Sequence, residues 1–570
     1  MLHLLFIVLI FFAEQALADA KRPGSEVGKQ GLRSTFDANI YDSVQEEASS
    51  APEFLAAPDR WRQFYMGKWF DPYNQNVLKG DIPIFGSPGE EWFLETSIIS
   101  DSLFEYRKLP TSVGSSTTQG SNSNDVFGDF QQTLFVENIP TRFSLIRGNT
   151  TFKPPEFELR ISPVFNINHA SIGEVGGLRA DPARGSSRDD AHVGFQELFI
   201  DTHLFNLSHR YDFVSSRVGL QRFTSDFRGF VYSDDAPGVR FFGNWDSNKY
   251  QYNLAWFDRL DKDTNSGLNT SFRDRNEQVV VANLYANDRP VLGHNLNFSI
   301  IHREDNAGSH QSVYDRNGFL VRPAAIGDEM PKNISNTYLG LNGDGHFGRV
   351  NTTSAFYYTF GSESHNAIAH QATDISAFMT AQEISYDVDW IRYRGSFFFS
   401  SGDSDPYDNK ATGFDSISDL PNFAGGDLSY WQRQGIPFIG GGGVALVNRL
   451  SLLPSLRAGK EQGQANFVNP GLLLYNAGVD FEITPKLKLI NNLSYLRFSK
   501  TDVLQALRQD GSIDNEIGWD ISSGFLYRPF LNNNIQVRLG VAALLPGKGL
   551  KNLYGNQTLY DVFTNLIFAY

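Results

Sequence analysis

Cysteine is absent from all 570 residues, so no disulfide framework supports this fold. Long apolar runs are missing too: after Phe12 no stretch approaches the ~18 apolar residues that a membrane helix needs. Fixed-spacing catalytic motifs are lacking. There is no Gly-x-Ser-x-Gly elbow and no His-Glu-x-x-His, and Gly440–Gly443 is followed by no Lys-Ser/Thr of a phosphate loop. The 11 histidines are scattered; His169, His192, His203, His209 and His302 have no partner at a set spacing. No catalytic residue is assigned, and the chain is read as not an enzyme. Positive net charge is also wanting: the formal charge of −15 argues against nucleic acid as a partner.

The N-terminus supplies what the rest lacks. Met1–Phe12 is almost wholly apolar, and Ala16–Ala18 and Ala18–Ala20 are overlapping small-x-small cleavage sites. This reads as a secretory signal peptide over residues 1–20, cut near Ala18 or Ala20, although its first residues carry His3 and no Lys or Arg. Export without cysteine points to a bacterial envelope. Any membrane-spanning part must then be a β-barrel.

Aromatic residues are abundant at 14%, yet the chain is mildly polar in mean hydropathy. A membrane barrel reconciles the two, since apolar residues occupy every second position of each strand while lumen and loops stay polar. The last stretch shows this best. Tyr560, Val562, Thr564, Leu566, Phe568 and Tyr570 fall on one face of a strand that ends the chain on an aromatic residue. Such a strand closes a cylinder, and its ending resembles the signal read by the outer-membrane barrel assembly machinery.

Alternating segments recur upstream: Phe127–Val136, Phe157–Asn168, His192–Phe205, Arg210–Phe223, Tyr250–Arg259, Glu277–Ala286, Asn295–His302 and Arg349–Phe360. They continue with Ala377–Asp387, Asp389–Ser400, Leu472–Ile483, Lys486–Phe498, Ile517–Tyr527, Ile535–Ala543 and Leu559–Tyr570. Segments of ~9–12 residues suit tilted transmembrane strands. Breaks at Thr484-Pro485 and Phe530–Asn534 are short. Those at Ser112–Asn124, Ile172–Ala191, Arg303–Ser335 and Gly402–Ile439 are long, as periplasmic turns and extracellular loops would be.

The expectation is an all-β, antiparallel transmembrane barrel of ~16–18 strands over residues 91–570, in the Gram-negative outer membrane and in contact with its lipid. Residues 21–90 form an N-terminal arm or plug, where Trp61, Trp69, Tyr73 and Asn76 offer ring faces and an amide to a hydroxylated solute. Two alternatives stand beside it: a secreted, soluble β-rich protein that binds or hydrolyses carbohydrate, and a closed structural or adhesion barrel.

With apolar positions turned to lipid, the alternate ones line the lumen: Arg160, Glu197, Asp201, Arg217, Gln221, Arg240, Arg392, Arg394, Asp480, Glu482 and Arg538. Charge on the lipid face near the midplane costs ~2–4 kcal/mol, which enforces that assignment. The arginines either pair with the acids or meet carboxylates of a passing solute. The expected role is a porin-like channel for polar, including anionic, saccharides.

Gln196-Glu-Leu-Phe-Ile-Asp-Thr-His-Leu204, Arg217-Val-Gly-Leu-Gln-Arg-Phe223, Arg228-Gly-Phe-Val231 and Gly238-Val-Arg-Phe-Phe-Gly243 resemble the alginate-export-type outer-membrane barrels, with Leu220 where an arginine is usual. The resemblance implies a porin-like barrel and an alginate-type cargo. No cofactor is expected. Asp403, Asp405 and Asp408 stand in one loop as a loose set of oxygen ligands for Ca²⁺.

Overall fold

Alternation along the strands decides the architecture. In Val350–Asn366, Ala355, Tyr357 and Thr359 are buried, while Phe356, Tyr358 and Phe360 face outward and are exposed. Strand after strand repeats this: Val218, Leu254, Phe298, Ile300, Leu341 and Val541 form part of an exposed apolar belt. A belt of that kind around a polar inner wall is the surface a bilayer solvates.

The computed structural model describes residues 76–87, 90–113, 127–148, 154–210, 212–306, 312–438, 444, 446, 450–531 and 533–570. Among them eighteen strands form a closed antiparallel barrel. They are β1 Trp92–Lys108, β2 Gln131–Arg147, β3 Phe157–Ile172, β4 Ser187–Asn206, β5 Phe213–Thr224 and β6 Ser233–Trp245. Next come β7 Tyr250–Lys262, β8 Asn269–Ala286, β9 His294–Asp305, β10 Ile334–Phe347, β11 Val350–Asn366 and β12 Gln371–Val388. The last six are β13 Ile391–Ser400, β14 Leu472–Thr484, β15 Leu487–Phe498, β16 Glu516–Tyr527, β17 Ile535–Pro546 and β18 Leu559–Ala569. Each pairs with its neighbours in sequence, and β18 closes on β1 from Ile99↔Ala569 to Lys108↔Tyr560. Tyr570 exchanges backbone hydrogen bonds with Ile98. The terminal strand faces as expected: Val562, Phe568 and Tyr570 are exposed, and Leu559, Asp561 and Phe563 are buried.

Four elements depart furthest from the expected segments. β1 and β10 are not among those segments, β2 runs on to Arg147, and β6 is anticipated only through inward Arg240. The outer face of β1 carries Thr96, Ser100 and Ser102; β6 holds Pro237 beside Asp234 and Asp235; β10 holds Gly340, Gly343 and Gly345. Each dilutes the apolar half of the alternation.

Connections at one end are mostly short, such as 246–249, 348–349, 389–390 and 485–486, and the long ones lie at the other end. The longest, 401–471, corrects the reading of Gly402–Ile439 as an outward loop. It turns into the barrel, and a second inward loop, 225–232, meets it through Ile417 N–H on the Val231 carbonyl at 3.1 Å. Around this insert the inner wall turns apolar: Phe257, Val279, Met379, Phe398, Leu472 and Leu474 pack with Phe414, Tyr430, Trp431 and Phe438. The rule of apolar outside and polar inside therefore fails where the insert sits, because the wall there faces protein and not water.

Ion pairs fasten it. Arg433 Nε lies 3.0 Å from Glu105 and 3.2 Å from Asp561, and Gln434 Nε2 donates to both carboxylates. Asp520 accepts from the Ser429 hydroxyl and the Trp431 N–H, each at 2.8 Å. Across the lumen Arg275 donates to the carbonyls of Glu461 and Gly463. Arg275 also joins Arg259 and Arg303 on one buried carboxylate, Glu277.

Candidate functional site

The inward charges expected from alternation are all on the inner wall, gathered into three groups toward the short-turn end. The first spans β3–β6. Arg160 pairs with Glu158 at 2.6 Å and Glu197 at 3.4 Å, and Arg217 holds Asp201 at 2.7 Å. Arg240 donates to the Asn253 side-chain oxygen at 2.7 Å, and no carboxylate among the described residues lies within ion-pair distance of it. Arg142 on β2, 3.3 Å from Glu197, extends the row. It was missed, though the outward Phe143 beside it marks its inward direction.

Phenyl rings interleave these guanidiniums. Arg160 lies 5.3 Å and Arg217 4.2 Å from the Phe199 ring centre. Arg217 and Arg240 flank Phe242 at 5.7 and 4.5 Å, and Arg240 also covers Phe223 at 5.3 Å. Stacking fixes the planes of long side chains that would otherwise sample many rotamers. The arc from β2 to β6 thus carries four arginines against Glu158, Glu197 and Asp201. Gln221 shares the inner face of β5 with Arg217 but is fully buried there, its amide donating to the Gly238, Arg217 and Gly219 carbonyls.

The second group is balanced. Arg392 forms two bonds to Asp387, at 2.6 and 2.8 Å. Arg394 reaches Asp480 at 3.5 Å and also bonds Asn492. Lys488 ties Asp480 at 3.3 Å and Glu482 at 3.1 Å. The third is Arg538, 3.6 Å from Asp427 of the insert. Arg228 enters from the inward loop and bonds Thr353, Asp344 and the Asn422 carbonyl. Together with Arg392, Arg394 and insert residues 422–428 it lines a cavity of about 430 Å³.

Described insert residues send hydrogen bonds or ion pairs to β1, β6–β10, β12 and β16–β18, and none to β2–β5. Apolar packing does reach that arc: Val444 and Leu446 of the insert cluster with Leu134 and Val136 on β2 and Ala170 and Ile172 on β3, nearer the long-loop end than the arginine row.

The loop carboxylates are engaged by backbone N–H groups of their own loop. Asp403 accepts from the N–H groups of Asp405 and Thr412, Asp405 from Tyr407, and Asp408 from Lys410. No group of three candidate ligands converges among the described residues. Burial raises the Asp403 carboxyl to about 6. Trp61, Trp69, Tyr73 and the signal peptide lie outside the described residues; Asn76 caps a turn by accepting the Leu78 N–H.

No protein-family model matches the sequence, and no curated protein does. Solved structures align with the chain along most of their length. OccK9 (OpdG) of Pseudomonas aeruginosa aligns at TM-score 0.44 and 9% identity, over 84% of this chain and 98% of that one. OccAB1 of Acinetobacter baumannii gives 0.44 and 9% over 84% and 96%. A BenF-like porin of Pseudomonas fluorescens gives 0.42 and 10% over 84% and 98%. The likeness is one of fold.

Proposed function

We propose that this chain is a porin-like channel of the Gram-negative outer membrane for small, polar, anionic solutes. One observation carries the reading: the row Arg142, Arg160, Arg217 and Arg240 holds one more positive charge than its acids, on an arc to which the described insert residues send no hydrogen bond or ion pair. Guanidinium groups meet carboxylates in two parallel bonds, and phenyl faces between them suit the apolar face of a sugar ring. A uronate-type saccharide therefore matches the row better than a neutral sugar, in keeping with the alginate-export resemblance. The balanced Arg392–Asp387 and Arg394–Asp480 pairs belong, in this reading, to the opposite wall. The strand ending at Tyr570 is the segment the barrel assembly machinery would read.

Planar-bilayer recording of the refolded chain tests this. Anion selectivity, with current blocked by uronate oligomers more than by neutral oligosaccharides, is the expected result. Correct insertion without conductance sinks the reading and favours a closed structural barrel.

A further inference from the structure

Where the insert crosses β15–β17, glycine lets it lie close to the wall. Gly524 on β16 and Gly540 on β17 are direct cross-strand partners, both buried on the inner wall. A Cβ built on Gly524 would stand 2.5 Å from Leu428 Cδ2, and one on Gly540 2.9 Å from the same atom and against the Phe563 ring. The paired glycines thus leave a notch, and the Leu428 side chain, 7% exposed, fills it.

The segment around Leu428 has its own glycine against the wall. Gly425 lies so close to the Asn492 side chain on β15 that a Cβ there would collide with it, and its φ of +73° is one that L-residues rarely adopt. Asp427 beside Leu428 reaches Arg538 on β17, and Ser429 after it bonds Asp520 on β16. Residues 424–428 also border the 430 Å³ cavity that Arg228, Arg392 and Arg394 line. Whatever height they stand above the wall is lost from the open lumen.

We propose that Gly524 and Gly540 set the width of the lumen, by recessing Leu428 so that the strap 424–429 lies flush with the wall. The inference rests on the channel reading and adds a determinant of solute size. It concerns no charge: one methyl group placed under Leu428 lifts the strap into the path.

Single-channel conductance of the full chain in planar bilayers tests it, with barrel closure checked by heat-modifiable gel mobility. Gly524→Ala lowers conductance by roughly twofold, since flow through a constriction follows its free cross-section. Leu428→Trp, which leaves the wall intact, lowers it likewise. The new Cβ of Gly524→Ala would also sit 2.8 Å from the Leu539 carbonyl, so the deciding variant is Gly524→Ala with Leu428→Ala. That pair returns toward wild-type conductance if the notch acts through Leu428. Closed variants that conduct as wild type does, or a double variant without recovery, overturn the proposal. A wild-type chain that inserts and passes no current overturns the channel reading and this one with it.

Discussion

Arg217 and Arg240 stand directly opposite each other on β5 and β6, and the single carboxylate of Asp201 lies in reach of only the first. Like charges on facing cross-strand positions repel. The arrangement persists through the rings of Phe199, Phe242 and Phe223 and the oxygen of Asn253.

Arg240 is thus the charge that a solute meets unneutralised. Arg240→Gln lowers the anion-to-cation permeability ratio by roughly twofold to fivefold, the scale of ~0.5–1 kcal/mol for one charge beside water. Asp201→Asn raises it. Reversal potentials in a salt gradient measure both, and a ratio unmoved by Arg240→Gln removes the residue from the path.

The outward belt predicts a cost on the other face. Phe356 is exposed between buried Ala355 and Tyr357, so Phe356→Arg places a charge against lipid and destabilises the folded barrel by roughly 2–4 kcal/mol near the midplane. Urea unfolding in lipid vesicles reports this as a lower midpoint. An unchanged midpoint would mean that this face does not meet hydrocarbon.

Arg433 is the main ionic tie between insert and wall. Arg433→Met leaves Glu105 and Asp561 buried beside Arg107 alone, a loss of roughly 3–5 kcal/mol for a broken buried pair. The expected result is new protease cleavage within residues 401–471 while the barrel itself stays closed on unheated gels. Equal resistance would show that apolar packing of Trp431 and Phe438 suffices.

Asp403 gives the first turn of the insert a pH dependence. Its carboxyl is raised by burial from 3.8 to about 6 in the fold, so the folded chain binds the proton more tightly than the unfolded one. The resulting stabilisation is complete below the ordinary value and lost as pH rises through about 6. Carboxyl NMR of aspartate-labelled protein should show a group titrating near that value that is absent from Asp403→Asn. Titration with the ordinary exposed carboxylates would contradict the burial.

Much of the barrel was legible from period-two alternation, because lipid demands apolar residues on one face regardless of what the other face does. The inward positions of Arg160, Arg217, Arg240, Arg394 and Arg538 followed from the same rule. The insert was not legible. Its polar, glycine-rich sequence resembles a solvated loop, and the bonds that draw it inward, such as Arg433 to Glu105 and Tyr430 to the Lys108 carbonyl, join residues more than 300 positions apart. For the same reason inward apolar residues such as Phe257 and Met379 broke the pattern: they answer to a partner elsewhere in the chain.

Closure of the cylinder joins Ile99 to Ala569, 569 − 99 = 470 positions apart. Until the final residues arrive, β1 has no second neighbour and the sheet is an unfinished ribbon with two bare edges, each a template for unwanted pairing. Looping entropy grows only slowly with chain length, so the separation itself is a modest obstacle. The hazard is waiting time: the first strand must be kept from other partners until the last is delivered beside it. A chain that lost the whole of β18 would be left as an open, sticky sheet.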